Sequence, residues 1–89
     1  MSYSVRIPPA AERDLKRFDR ETANRIAKAI DALAVNPRPA GVKTLNGSSP
    51  PILRHRVGDY RILYRVTSKQ LVVLVIRVGH RKEIYRLEF

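Results

Sequence analysis

Eighty-nine residues with 44% apolar content suffice for one small folded domain over 1–89 and leave no room for a second. The chain has no cysteine, which excludes disulfides and thiolate metal sites. Its start, MSYSVRIPPAAERD, turns charged before a signal core can form, and its longest apolar run, Leu71 to Ile76, is too short to span a bilayer, so a soluble, cytoplasmic protein with no membrane contact is expected.

The formal net charge of +10 is unevenly placed. Between Glu12 and Asp31, six basic residues stand against five acidic ones. From Ile52 to Phe89, nine basic residues (Arg54, Arg56, Arg61, Arg65, Lys69, Arg77, Arg81, Lys82 and Arg86) stand against Asp59, Glu83 and Glu88. A localised excess of this kind attracts polyanions. Seven of those nine are arginines, whose planar fork suits bidentate contact with phosphate.

In chain order, Tyr3, Val5 and Ile7 alternate with Ser4 and Arg6, the period of a short half-buried strand. Pro8 and Pro9 end it and suit the first turn of a helix. Ala11, Leu15 and Phe18 then recur at helical spacing, predicting a helix over 9–17. Asp19 is placed as the N-cap of a second helix, with Glu21 in its first turn. Its apolar stripe is Ile26, Ala29, Ile30 and Leu33, and it ends near Asn36-Pro37. A loop rich in Pro, Gly, Ser and Asn follows over 36–51, with a brief extended piece at 42–45.

Strands are expected over 53–57 and 60–66, joined by the two-residue turn Gly58-Asp59. That register pairs Val57 with Tyr60 and sets Arg56 across from Arg61, with Arg54 on the same face. Like charges directly opposite each other destabilise a sheet, so the pairing makes sense if an anion binds there. Tyr60, Ile62, Tyr64 and Val66 form the face that packs on the helices. The apolar run 71–78 reads as a central strand. The turn before it has ambiguous length, which leaves the face of Arg77 open. The result is an α+β fold of order β-α-α-β-β-β, two N-terminal helices packed on a small antiparallel sheet.

Most familiar catalytic equipment is missing. His55 and His80 lack metal-ligand spacing, and no glycine-rich phosphate loop precedes a helix, so neither metal nor cofactor is expected. What remains is Arg54, Arg56, Arg61, His80, Arg81 and Tyr85. That set can cleave RNA: the 2′-OH attacks the adjacent phosphate, and arginines stabilise the charge that builds on it. Free tyrosine is a poor base at neutral pH, but neighbouring cations favour its phenolate. Tyr85, beside Arg81, Lys82 and Arg86 in sequence, is the best-placed group to move the proton; histidine titrates near neutral pH, so His80 is the alternative. Lys43, Arg56, Arg65, Arg77, His80 and Lys82 are the expected RNA contacts.

The stretch RHRVGDYRILYRV, the apolar strand and VGHRKEIYR after it, and the upstream piece Lys43-Thr44-Leu45-Asn46-Gly47 together resemble the RelE/ParE toxin superfamily, its RelE branch in particular. The resemblance covers essentially the whole chain. It implies a toxin of a type II toxin-antitoxin system, an endoribonuclease that enters the 30S A site of the ribosome, contacts rRNA there and cleaves mRNA without a metal. It also implies a cognate RelB-like antitoxin that wraps the toxin, with operator DNA bound only through that complex. By position, Arg61 and Arg81 match the family's phosphate-stabilising arginines. Tyr85 matches its C-terminal tyrosine, and Arg54 and Arg56 fall on basic positions, giving Arg54, Arg61, Arg81 and Tyr85 as the catalytic set. Two departures are expected: Ile52 stands where some members carry lysine, and no helix follows the last strand before Phe89. The competing functions are a ParE-like inhibitor of DNA gyrase on the same fold and a non-catalytic RNA-binding module.

Overall fold

The computed structural model describes residues 2–45 and 50–87. Asn46 and Gly47 of the upstream piece, and the terminal Phe89, lie outside the described residues. The elements run β1 (Ser4–Arg6), α1 (Pro9–Lys16), α2 (Arg20–Val35), β2 (Lys43–Thr44), β3 (Leu53–Val57), β4 (Tyr60–Thr67), β5 (Val72–His80) and α3 (Arg81–Leu87). Among the described residues, no helix is long and apolar enough to cross a membrane.

The five strands form one sheet in the order β1-β5-β4-β3-β2. The α+β architecture matches the expectation, with two additions and one reversal of direction. The extended piece at 42–45 becomes β2, which pairs Lys43 with Arg54. The tail folds as α3, so the expectation that no helix follows the last strand is corrected. β1 runs parallel to β5, pairing Ser4, Val5 and Arg6 with Val72, Val73 and Leu74, so the sheet is not wholly antiparallel. Parallel pairing needs a crossover, and α1 and α2 lie between these strands in sequence.

The β3–β4 hairpin has the register that its two-residue turn dictates, with Val57 opposite Tyr60 and Arg56 opposite Arg61. Gly58 takes φ +59°, the left-handed conformation that such a turn requires and that a side chain resists. The β4–β5 ladder slips between Leu63 and Tyr64: Leu63 pairs with Arg77, while Tyr64 pairs with Val75. Ile76 is therefore the extra residue of a bulge.

The main core lies between the sheet and the first two helices. It is built from Ala11, Ile26, Ile30, Leu33, Leu53, Ile62, Tyr64, Val73, Val75 and Val78, as the stripes and strand alternation predict. Tyr64 is fully buried, and its hydroxyl donates to the Pro37 carbonyl at 2.7 Å, fastening the exit of α2 to the sheet. Burial pushes its pKa up to about 12. A second, smaller cluster of Ile52, Leu63 and Ile84, flanked by Leu45 and Ile76, lies under α3. Both faces of the sheet therefore carry apolar packing.

Asp14 of α1 is buried and organises β5 past the end of its pairing with β1. Its carboxylate accepts from Arg77 Nε at 2.8 Å, Arg77 Nη2 at 3.0 Å and the Val78 N–H at 2.9 Å. Burial alone raises the Asp14 carboxyl. The hydrogen bonds from Arg77 and Val78, with the charges of Arg77 and Arg17, outweigh burial and hold its pKa below the usual value.

A depressed carboxyl stabilises the fold fully above the ordinary aspartate pKa of about 3.9, and that contribution is lost as pH falls through the folded value. Asp14→Asn is expected to cost about 2 kcal/mol in urea unfolding at pH 7, toward the low end for a broken buried pair because Arg77 is partly exposed. The variant should also lose part of the decline in stability between pH 5 and pH 2. An unchanged urea midpoint would show that the interaction is not structural.

Candidate functional site

The arginine face is assembled by the hairpin and the helix that follows β5. Arg54 comes from β3, Arg61 from β4, and Arg81, Lys82, Tyr85 and Arg86 from α3. Together they line a groove of about 490 Å³. An adjoining hollow of about 470 Å³ is lined by Lys43, Arg54, His55, Arg56 and Arg61, with Ala40, Gly41 and Gly58. Arg54 and Arg61 are shared, so the two form one basic surface. No carboxylate stands among the described residues that line either hollow.

Helical spacing explains the α3 contribution. Arg81 and Tyr85 are four residues apart, as are Lys82 and Arg86, and residues at that interval share a helix face. Ile84 points the other way and is 1% exposed against Ile52 and Leu63. Gly79, opposite Arg61 in the ladder, lies against the Ile84 side chain. Tyr85, by contrast, is 76% exposed with its ring at the groove.

Arg61 is the centre of the cluster. Its Nη1 donates to the carbonyls of Gly58 and Tyr60, both at 2.9 Å, so the turn itself orients the guanidinium. Its pKa is lowered, first by burial and then by the charges of Arg56, Arg54 and Arg81, against a small opposing pull from Asp59. Beyond burial, the three arginine contributions show that like charge is crowded around this position. Arg81 is held from the same turn, its backbone N–H donating to the Asp59 carbonyl at 2.7 Å.

The expected contacts divide by face. Arg54, Arg61, Arg81, Tyr85 and Lys82 meet in the groove, and Lys43 and Arg56 extend it into the adjoining hollow. Arg77 does not join them, because the bulge turns it toward Asp14. Arg65 pairs with Leu74 at the far end of β4 and lines neither hollow; its Nε is buried without a hydrogen-bond partner. His80 lies across from Tyr60, their rings edge-to-face at 5.7 Å, and borders a separate notch with Asp14, Arg17, Phe18, Tyr60, Val78 and Glu83. His55 and Arg86 line the basic surface and were not among the expected contacts. The helical interval from Lys82 would have found Arg86.

The sequence model of the family described as ParE toxin of type II toxin-antitoxin system, parDE, matches residues 5–85. Toxin RelG of Mycobacterium tuberculosis is 36% identical over 87 residues, covering 97% of this chain and 99% of the relative. Among solved structures, the toxin-antitoxin complex RelBE2 of the same organism contains a chain that superposes with TM-score 0.79 at 29% identity, over 91% of this chain and 100% of the other. The archaeal RelE-RelB complex of Pyrococcus horikoshii gives TM-score 0.79 at 28% identity, over 91% and 97%. This chain belongs to the RelE/ParE family of toxins from type II toxin-antitoxin systems. Its likeness to RelG and to the RelE complexes lies on the RelE side of that family.

Crowded cations at one position are relieved by a bound anion. Inorganic phosphate, compared with chloride at equal ionic strength, is expected to raise stability by about 1–2 kcal/mol at roughly ten times its Kd, a shift of several degrees in Tm. The Arg54→Ala/Arg81→Ala double variant should lose most of that shift. An equal shift in the double variant would mean that phosphate acts elsewhere.

Proposed function

We propose that the protein is a ribosome-dependent endoribonuclease that cleaves mRNA in the A site by 2′-OH attack and needs no metal. The observation that carries this reading is the convergence of Arg54, Arg61, Arg81 and Tyr85 in one groove. In the reaction, the 2′-oxygen bonds to phosphorus and the bond from phosphorus to the 5′-oxygen breaks, leaving a 2′,3′-cyclic phosphate and a 5′-hydroxyl. Arg61 and Arg81 take the non-bridging oxygens, whose charge grows in the transition state. Arginine stays protonated and acts as a fixed charge. Of the lining side chains, Tyr85 and Lys82 can exchange protons, which assigns proton transfer at the 2′-oxygen to Tyr85 and leaves Lys82 as a donor on the leaving side. His80, on the other face of β5, takes no proton from the RNA in this reading.

Lys43 and Arg56 then hold the phosphate next along the strand, in the hollow that shares Arg54 and Arg61. A RelB-like antitoxin is the proposed partner, because the solved relatives are RelB complexes and an acidic, apolar segment complements this face. Operator DNA would be met through that complex. Residues 1–89 act as one toxin domain, in the cytoplasm where ribosomes are. A second reading, inhibition of DNA gyrase, is favoured by the family model itself, which is described for the ParE toxin.

Expression in cells, with mapping of mRNA 5′ ends, separates the two. Codon-phased cuts on ribosome-bound mRNA are expected. Arg81→Ala should reduce cleavage by about 10²–10³-fold and Tyr85→Phe by about 10²-fold or more, both relieving growth arrest while the fold persists. Intact mRNA with blocked supercoiling would overturn the nuclease reading, and full toxicity of both variants would overturn the residue assignment.

A further inference from the structure

His80 is the last residue of β5, and α3 begins at Arg81. The helix is short, so its first backbone N–H groups weigh heavily in whether it forms. Two of them have partners. The Arg81 N–H donates to the Asp59 carbonyl at 2.7 Å, and the Lys82 N–H donates to His80 Nδ1 at 3.2 Å. His80 thus occupies the place where Ser, Asp or Asn usually caps a helix. An imidazole accepts at Nδ1 only when neutral, with its proton on Nε2. The edge-to-face contact with Tyr60, itself edge-to-face with Phe18 at 5.2 Å, holds the ring in that orientation.

We propose that neutral His80 caps α3 and is the positioning residue for Arg81 and Tyr85, so that protonating its imidazole loosens the helix and disarms the groove. Protonation converts Nδ1 from acceptor to donor, which abolishes the bond to Lys82 and sets two N–H groups against each other. It also adds a cation to a helix N-terminus that already carries Arg81 and Lys82, where the helix dipole disfavours positive charge. Ile84, the Arg81 N–H on the Asp59 carbonyl and the exposed Arg17–Glu83 pair still tether the segment, but its first turn is loosened and the shared face of Arg81 and Tyr85 loses its fixed relation to Arg61. The groups around the imidazole do not compensate. On α1, Asp14 is engaged by Arg77 and Val78, and Arg17 faces Glu83 of α3 at 3.9 Å. On β4, Tyr60 presents its ring. The cap is a claim about the protein alone; its effect on turnover rests on the nuclease reading above.

The test compares wild type with His80→Asn, which can cap but does not titrate, and His80→Ala, which can do neither. Backbone amide exchange of Lys82 and Glu83 is followed from pH 8 to pH 5 in the free toxin, corrected for intrinsic exchange. Cleavage of ribosome-bound mRNA is followed over the same range. In wild type, protection at Lys82 should fall about five- to tenfold between pH 8 and pH 5, the size expected of an N-cap. His80→Asn should keep protection without the step, and His80→Ala should lack it throughout. Cleavage should follow the same three patterns, the loss appearing in kcat rather than KM.

A step that survives His80→Asn belongs to the nearby carboxylates and overturns the proposal. So does unaltered Lys82 protection in His80→Ala. If His80→Asn keeps its protection but loses cleavage, His80 reacts with RNA and is not a positioning residue. If wild type leaves ribosomal mRNA intact at every pH, the nuclease reading fails, and the exchange pattern alone sustains or overturns the cap.

Discussion

Backbone carbonyls of the β3–β4 turn hold the charged face in place. The Gly58 and Tyr60 carbonyls orient Arg61, and the Asp59 carbonyl starts α3 by binding the Arg81 N–H. Neutral dipoles are a suitable means. A carboxylate in their place would fix the arginines equally well but would neutralise the field that draws in an anion. The cluster stays mutually repulsive, and this is visible at Arg61, whose pKa is lowered by burial and by three neighbouring arginines. Under the proposed function, the repulsion that the fold tolerates is what favours a phosphate, because binding removes a cost that is already present.

The hairpin was legible because its turn has two residues. Gly58-Asp59 leaves one register, and that register puts Arg56 against Arg61. The stripes of α1 and α2 and the inward face of β4 were legible from periodicity alone. What stayed hidden depended on contacts distant in sequence. Arg77 had no legible face because the turn before β5 has ambiguous length; the structure adds a bulge at Ile76, and the partner of Arg77, Asp14, is 63 residues away. The direction of β1 was hidden for the same reason, since three residues carry no mark of the strand they will join. Helix α3 was missed because, among the residues of RKEIYR, Ile84 is the buried apolar one, and a histidine stands in the capping place. Reading the tail as a helix would have gathered Arg81 with Tyr85 and Lys82 with Arg86 at once.

Ile52 changes meaning once α3 is seen. By resemblance it stands where some family members carry lysine, which would add a charge to the groove. In the structure it is buried with Leu63 and Ile84, and so forms part of the floor on which α3 rests. The two facts are linked: a lysine at this position would put an ammonium where the helix needs an apolar seat, at the desolvation cost that accompanies a buried charge. This chain places its cations above that floor, on Arg54, Arg61 and Arg81.

The parallel pairing of β1 with β5 bears on the order in which the molecule can be made. β5 lies between β1 and β4, so the middle of the sheet waits for a strand that the ribosome supplies after both helices and the hairpin. Until then, the apolar stripes of α1 and α2 lack much of their counterpart, and Asp14 has neither Arg77 nor Val78 to bind. Contacts this distant in sequence slow folding. A chain stopped short of β5 therefore has neither a finished core nor a groove, and the charged face comes into being only in a molecule whose synthesis has passed through α3.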